Sequence, residues 1–254
     1  MLDYREFDPV PALAAHVRCF WTLRSDRGEM PQQRILPDGS FDIVFHFGDP
    51  FLQNGQPQPA AIFVGEIRRP VVVVPSGRGD VLGIRFHPGG VARFLAMPAS
   101  EICDLVLPLE EVLGDVMAPV FGTTDTASRI GLLERALIRR LRPADRRLDA
   151  AVHLITCSSG AARIRDVAAS VGATERTLER LFDSGVGMGP KAFARIARFQ
   201  ASLRGDDSGY FDDSHRIRDF RELSGVTPAQ LAREQNEMND HFVGNVQDQA
   251  AAAR

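Results

Sequence analysis

Basic and hydroxyl side chains recur at helical spacing between positions 174 and 198 of this 254-residue chain. Arginine guanidinium groups can pair with phosphate oxygens, and they can also donate two parallel hydrogen bonds to one base edge. Hydroxyl groups can add hydrogen bonds to phosphates. The residue types therefore predict contacts with a polyanion. The candidate residues are Thr174, Arg176, Thr177, Arg180, Lys191, Arg195 and Arg198, together with Glu175, which lies between the first two of them.

The charge of the chain is unevenly distributed around these residues. The formal net charge is -3, but residues 146–204 contain ten arginines and lysines against five acidic residues. Residues 205–254 contain five arginines against ten acidic residues. Only the middle segment has the basic balance expected of a surface that binds a polyanion. Without a motif, a charged and solvated helix face would explain this balance equally well.

The local sequence predicts two short helices joined by a tight turn. Ile164, Val167, Ala168 and Val171 have the i, i+3, i+4, i+7 spacing of one buried helix face. Gly172 follows where a glycine can end a helix, and Thr174 can cap the next helix through its hydroxyl. Pro190 is suited to start a third helix. This pattern is a helix-turn-helix, which would place Arg176 and Thr177 at base edges in the DNA major groove.

Longer motifs resemble the DNA-binding domain of AraC/XylS-type transcriptional regulators. They are RTLERLF, GPKAFARIARFQ and GYFDDSHRIRDFRELSGVTP, within residues 146–234. The segments ILPDGSFDIVFHFG, FVGEIRRP and GIRFHPGGVARFLAMPASEICD resemble the sensor portion of one branch of these regulators. The resemblance implies two helix-turn-helix units joined by a long helix. It also implies double-stranded DNA as partner, with a small-molecule effector and a homodimer as further options.

The second unit departs from the family pattern because only ASLRGDDS, residues 201–208, separates the long helix from the GY motif. This is shorter than the family pattern by roughly a dozen residues, about the length of one helix. We therefore expect Ile217, Phe220 and Leu223 to lose a packing partner. Acidic neighbours surround the three doubtful DNA contacts of this unit. Those contacts are His215, Arg216 and Arg218.

Residues 1–99 predict a small antiparallel β-sheet or barrel, so the fold class is α+β with an all-α C-terminal domain. Apolar and polar residues alternate over 41–47 and 82–86, which is typical of half-buried strands. PVVVVP, residues 70–75, predicts a further strand that prolines delimit. We expect helices at 11–20 and 90–95.

Residues 100–145 predict helices that link the domains, form a dimerisation surface or pack on their own sheet. One helix would start at Pro108, and another would span 126–142 with Arg129 on its polar side. Residues 235–254 are polar and predict a disordered tail.

The remaining chemistry is sparse. Cys19, Cys103 and Cys157 lie far apart, which argues against a disulfide framework or a zinc site and fits a reducing cytoplasm. We see no signal peptide and no apolar run long enough to span a membrane. Two histidines and an arginine near glycine-rich turns could line a ligand pocket, but the sequence favours partly exposed surface histidines and plain turn glycines. These residues are His46, Arg85 and His87.

These observations leave three hypotheses open. The first is a DNA-binding transcriptional regulator, not an enzyme and without cofactor or metal, that acts mainly through its first helix-turn-helix. The second is a regulator-derived protein with impaired DNA binding that acts through ligand or protein interactions. The third is a cupin-like metalloenzyme, which would require a cluster of metal ligands that the sequence does not supply.

Overall fold

The structure, a computed structural model, describes residues 2–25, 32–143 and 145–239. Antiparallel sheets occupy the N-terminal part of the chain, and helices make up the C-terminal part. The predicted α+β class is therefore confirmed. The strands form two open sheets rather than a barrel.

The larger sheet has six strands in the order β1-β2-β9-β4-β7-β10, and the smaller has four in the order β3-β8-β5-β6. Their bounds are β1 Leu2–Phe7, β2 Val17–Ser25, β3 Gln33–Ile35, β4 Asp42–His46, β5 Phe51–Gln53, β6 Gln56–Pro57, β7 Ala61–Val64, β8 Val71–Pro75, β9 Gly79–Phe86 and β10 Val106–Pro108. The predicted strands near 41–47, 70–75 and 82–86 are confirmed as β4, β8 and β9.

The register of β4 against β9 sorts side chains onto two faces. Asp42 pairs with Arg85, and Ile43 pairs with Ile84. Because successive side chains point to opposite faces, Ile43 and Ile84 enter the main hydrophobic core. Asp42 and Arg85 face the other side of the sheet. On that side Leu23, Phe51, Val73 and Val81 form a small cluster that joins the two sheets.

The predicted helix at 11–20 is wrong. Residues 11–16 form turns, and β2 begins at Val17. The run VRCFWTLRS is rich in β-branched and aromatic residues, which fit a pleated strand. This strand pairs with β1 on one edge and β9 on the other, so sheet pairing overrides the local helical pattern. The helix expected at 90–95 is present as a 3-10 helix, Gly90–Arg93.

Eight α-helices and two more 3-10 helices follow in the part of the chain that is described. The 3-10 helices are Ala99–Ile102 and Gly114–Gly122, and the α-helices are α1 Leu109–Leu113, α2 Thr126–Arg140, α3 Arg146–Cys157, α4 Ile164–Ser170, α5 Glu175–Val186, α6 Pro190–Leu203, α7 Asp213–Ser224 and α8 Pro228–Asn239. Helix α8 continues past Gln235 because AREQNEMN contains good helix formers. Residues 240–254 of the predicted tail lie outside the described residues.

The helices of residues 100–145 pack on the six-stranded sheet. Leu133 and Leu137 of α2 are buried in the same core as Phe45 and Ile84. The placement of Arg129 on the polar side of α2 was wrong, since its side chain is buried. Its guanidinium lies 3.4 Å from the ring centre of Phe47, and its Nε donates a hydrogen bond to Thr123 O at 2.8 Å. A cation over a ring face, with a carbonyl acceptor, accounts for its burial.

A separate hydrophobic core holds the C-terminal helices together, from Leu148 on α3 to Leu231 on α8. Residues 204–212 contain turns and no helix, so α7 follows α6 directly. The expectation that Phe220 and Leu223 lose their packing partner was wrong, because both are buried in this core. The Phe220 ring lies 5.1 Å from that of Phe199 on α6. Ile217 stays 38% exposed, as expected.

Helix α5 also contacts the β-rich part, at the 3-10 helices 90–93 and 99–102. Ser100 Oγ donates to Asp183 Oδ2 at 3.0 Å. Gln200 Nε2 on α6 donates to Pro37 O at 2.7 Å. The helical part therefore rests on loops that precede β4 and follow β9, two central strands of the larger sheet.

Candidate functional site

The α4–turn–α5 unit has the geometry that its sequence predicts. Gly172 adopts the left-handed conformation, with φ 65°, and Ala173 N donates to Ala168 O at 2.9 Å. Thr174 caps α5 by accepting a hydrogen bond from Thr177 N at 3.1 Å. These contacts satisfy backbone groups at the end of α4 and the start of α5. They fix the direction in which α5 leaves the turn.

The outward face of α5 carries free positive charge. Glu175, Arg176 and Arg180 are exposed, whereas Leu178 and Phe182 are fully buried beneath them. Within the described ranges neither Arg176 nor Arg180 forms an ion pair. Thr177 is half-buried, and its hydroxyl lies 3.0 Å from that of Thr174. Arg176 and Arg180 are thus the side chains of α5 that an approaching polyanion would meet.

The candidates on α6 differ in their surroundings. Lys191 is exposed in the first turn. Arg195 is bound within the protein, because its Nε donates to the buried Asp219 at 2.8 Å and its Nη2 donates to Glu222. A buried carboxylate requires such a counter-charge. Arg198 Nη2 donates to Gly160 O at 3.2 Å. Lys191 is therefore the freest cation of this helix.

The three doubtful DNA contacts of α7 differ in whether an acidic side chain lies beside them. His215 lies 3.7 Å from Asp219, and Arg216 pairs with Asp213 at 3.1 Å and with Asp207 at 3.6 Å. Arg218 is exposed and has no ion pair among the residues that the structure places. The acidic neighbours thus neutralise the charge of Arg216, whereas the guanidinium of Arg218 is available to an external anion.

The space between the sheets contains a polar pair that includes Arg85. Arg85 Nε donates to Asp42 Oδ1 at 3.2 Å, and Trp21 Nε1 donates to the same oxygen at 3.3 Å. Burial raises the pKa of Asp42 despite the positive charge of Arg85 beside it. The side chains of Arg85 and Asp42 nevertheless keep 31% and 17% of their surface exposed. Both side chains are therefore partly exposed on this face of the sheet.

The structure does not bring His46 and His87 to this pair. His46 is buried against Phe51, with ring centres 5.2 Å apart, and its Nε2 lies 3.2 Å from Gln58 Oε1. Burial lowers the pKa of His46. The alternative of a surface histidine was therefore wrong for His46, because residue 46 faces the second sheet. His87 is half-buried just beyond β9, where burial again lowers its pKa.

Sequence reasoning missed the partners of Arg85. Asp42 is the only charged residue of the alternating strand β4, apart from the histidine, and this was an available signal. The indole of Trp21, which donates to Asp42, lies over Gly83 on the inter-sheet face. A Cβ atom at Gly83 would overlap the indole ring. This glycine therefore gives the indole room to lie against the sheet.

Neither a metal-binding cluster nor a membrane-spanning helix occurs among the described residues. No group of three or more histidine, cysteine, aspartate or glutamate side chains is placed to hold a metal ion there. Among the helices of the same residues, none is both long and apolar enough to cross a membrane.

Comparison with known proteins gave one family match and several structural similarities. A family described as "Domain of unknown function (DUF6597)" matches residues 5–108, and no curated protein matches the chain. The crystal structure of ToxT from Vibrio cholerae is similar at 10% identity and a TM-score of 0.47, over 84% of this chain and 97% of that one. ToxT of strain SCE256 with bound unsaturated fatty acid is similar at 11% identity and a TM-score of 0.44, over 82% and 95%. Similarities this low carry no information about the function of this chain.

Proposed function

We propose that this chain is a DNA-binding transcriptional regulator of AraC/XylS type. The observation that carries the proposal is the α4–turn–α5 unit, with its left-handed Gly172, its Thr174 cap and the unpaired, exposed Arg176 and Arg180. A helix held in this way can present its first turns to base edges. Glu175, Arg176 and Arg180 would face the bases, and Lys191 would contact phosphate.

The proposal assigns a role to each part of the chain. Residues 1–99 would form the sensor-like domain, 100–145 a helical linker or dimerisation segment, and 146–234 the DNA-binding domain. The partly exposed pair of Asp42 and Arg85 would bind a small-molecule effector, since it combines polar groups with the aromatic Trp21. We further propose a cytoplasmic protein without enzymatic activity, cofactor or membrane association, with a homodimer as one option.

A second candidate function also has structural support. Arg195 and Arg216 are neutralised by carboxylates within the protein, and no helix precedes α7 in residues 204–212. Both features reduce the number of cations available to DNA. A regulator-derived protein with impaired DNA binding, acting through a ligand or another protein, is therefore the alternative.

DNA binding by the full chain, measured by fluorescence anisotropy on selected DNA, separates the two candidates. We expect Arg176→Ala to weaken binding by about 1–3 kcal/mol and to relax sequence preference at one base pair. Arg139→Ala, which removes an exposed arginine of α2, is the matched control and should leave binding unchanged. No measurable binding at low salt, or equal losses in both variants, would favour the alternative.

A further inference from the structure

A cleft of about 320 Å³ opens beside α4, between the α3–α4 turn and α6. Three cations line it, namely Arg163, Lys191 and Arg198, and no carboxylate does. Glycines, alanines and Ile164 complete the lining. All the charged side chains that line the cleft are therefore positive.

The three cations of the cleft differ in their exposure and in their hydrogen bonds. Arg163 and Lys191 are exposed at the rim, and neither forms an ion pair with another described residue. Arg198 lies deeper, donates to Gly160 O at 3.2 Å, and has a buried Nε without an acceptor among the residues described. Positive charge in a concave site raises the local potential for an anion.

Two carboxylates, Asp166 and Asp206, lie close in sequence to residues that line the cleft. Asp206 accepts hydrogen bonds from Ser159 Oγ and from Ser208 N, and Asp166 pairs with Arg165 at 3.7 Å. These contacts direct both acids to partners outside the lining. An anion that enters the cleft would meet Arg163 and Lys191 first.

Glycine contacts fix the walls of the cleft. Gly160 adopts φ 71°, and a Cβ atom there would overlap Ala194 O of α6. A Cβ atom at Gly209 would lie 2.5 Å from Ser159 O and 2.7 Å from Cγ of Arg198. The α3–α4 turn can approach α6 this closely only because both residues lack a side chain. The cleft is thus preformed.

We propose that this cleft binds one phosphate group of the DNA backbone, and that Arg163 is a phosphate-contacting residue beside Lys191. The proposal rests on the proposed function. In a helix-turn-helix the second helix lies in the major groove while the first crosses the backbone. The cleft lies at the start of α4, the first helix of the unit. A phosphodiester satisfies the charge of Arg163 and Lys191 and requires no base contact.

Full-length Arg163→Gln and Lys191→Gln test the proposal by anisotropy over a salt series. Each should weaken binding roughly threefold to tenfold on every DNA sequence and reduce the salt slope by about one. Arg165→Gln is the matched control, since Arg165 is exposed on the same helix but does not line the cleft. It should cause a smaller change. Equal changes in all three variants would overturn the proposal.

A second pair of variants isolates the charge of the cleft. Ala161 is exposed and lines it, so Ala161→Glu and Ala161→Gln add side chains of similar shape that differ in charge. The glutamate should bind DNA more weakly than the glutamine, with both variants unfolding at the same temperature. Equal binding by the two would contradict an anion in the cleft.

Two further outcomes separate the cleft from the proposed function. If Arg176→Ala alters sequence preference while Arg163→Gln and Lys191→Gln bind normally, the cleft proposal fails and the proposed function stands. If wild-type protein does not bind DNA at low salt, both fail. If inorganic phosphate stabilises the wild type but not Arg163→Gln, and DNA binding is equal in the two, the cleft is a site for free phosphate and the proposal is overturned.

Discussion

At the scale of single residues, Glu66 is a buried carboxyl group whose hydrogen bonds offset only part of the cost of its burial. Glu66 is fully buried just after β7, and its Oε1 has no hydrogen-bond partner among the described residues. Its Oε2 lies 3.7 Å from the Cys103 thiol. Burial, and then the negative charges of Asp38 and Asp104, raise the pKa of Glu66 to about 9. Glu66 is therefore protonated in the folded chain at neutral pH.

This burial predicts a pH dependence of stability. The unfolded chain ionises Glu66 near its ordinary pKa of 4.5, whereas the folded chain keeps the proton until about pH 9. The free energy of unfolding should therefore fall as the pH rises between these values. Glu66→Gln should remove this contribution, so it should exceed the wild type in stability by about 2–4 kcal/mol at neutral to mildly alkaline pH.

Urea denaturation at several pH values measures the difference between wild type and Glu66→Gln. Glu110→Gln, at an exposed position of α1, is the control and should parallel the wild type. Parallel pH profiles for Glu66→Gln and the wild type would show that Glu66 ionises freely in the folded chain.

The residues of the candidate site could be identified from the sequence, but the ion pairs that some of them form could not. Helical spacing and the turn glycine identify Arg176 and Arg180, because the first turns of α5 depend on local sequence alone. Arg195 has the same residue type and periodicity. Its availability depends on Asp219, which is 24 residues away in sequence and 2.8 Å away in space. No local pattern reports such a pair.

At the scale of elements, Arg195 joins α7 to α6. Asp219 is 1% exposed and Arg195 is 34% exposed, so the carboxylate depends on this arginine for its counter-charge. We expect Arg195→Met to destabilise the protein by about 2–4 kcal/mol, because it leaves a buried charge without its guanidinium partner. Thermal or urea unfolding measures the loss.

A double variant separates this ion pair from ordinary packing. Arg195→Met combined with Asp219→Asn removes the stranded charge, so it should be more stable than Arg195→Met alone. Arg204→Met, at an exposed arginine after α6, should be neutral. If the double variant is the less stable one, Asp219 does not depend on Arg195, and His215 at 3.7 Å would be its more important partner.

Elements with a clear local pattern agree with the prediction, including the alternating strands β4 and β9, and elements without such a pattern do not. The α4–turn–α5 unit follows from apolar spacing, one glycine and one cap. The strand β2 did not, since its alternation is masked by apolar residues on both faces and its two neighbours come from distant parts of the chain. The same reason explains the wrong expectation for Phe220, because its burial depends on Phe199 of another helix.

At the scale of the whole molecule, α5 connects the two parts of the chain. Its last turns contact the 3-10 helices of the β-rich part, while Arg176 and Arg180 in its first turns stay exposed. Gly187, which ends α5 at φ 84°, lies against Ala99 and Phe41. The position of the candidate recognition helix therefore depends on its packing against the β-rich part as well as on α4 and α6.

Gly39 offers a test of this docking. It has φ 81°, and a Cβ atom there would lie 2.7 Å from the Phe193 ring on α6. Gly55 has a similar φ of 76° with nothing within 4 Å of a Cβ atom. Backbone strain should lower the free energy of unfolding by about 1 kcal/mol in both Gly39→Ala and Gly55→Ala. Overlap with Phe193 should lower it by roughly a further 1–3 kcal/mol in Gly39→Ala alone. Urea unfolding gives the stabilities, and hydrogen exchange should show faster exchange in α6 for Gly39→Ala alone. Equal stability and exchange in the two variants would mean that this contact does not hold the two parts together.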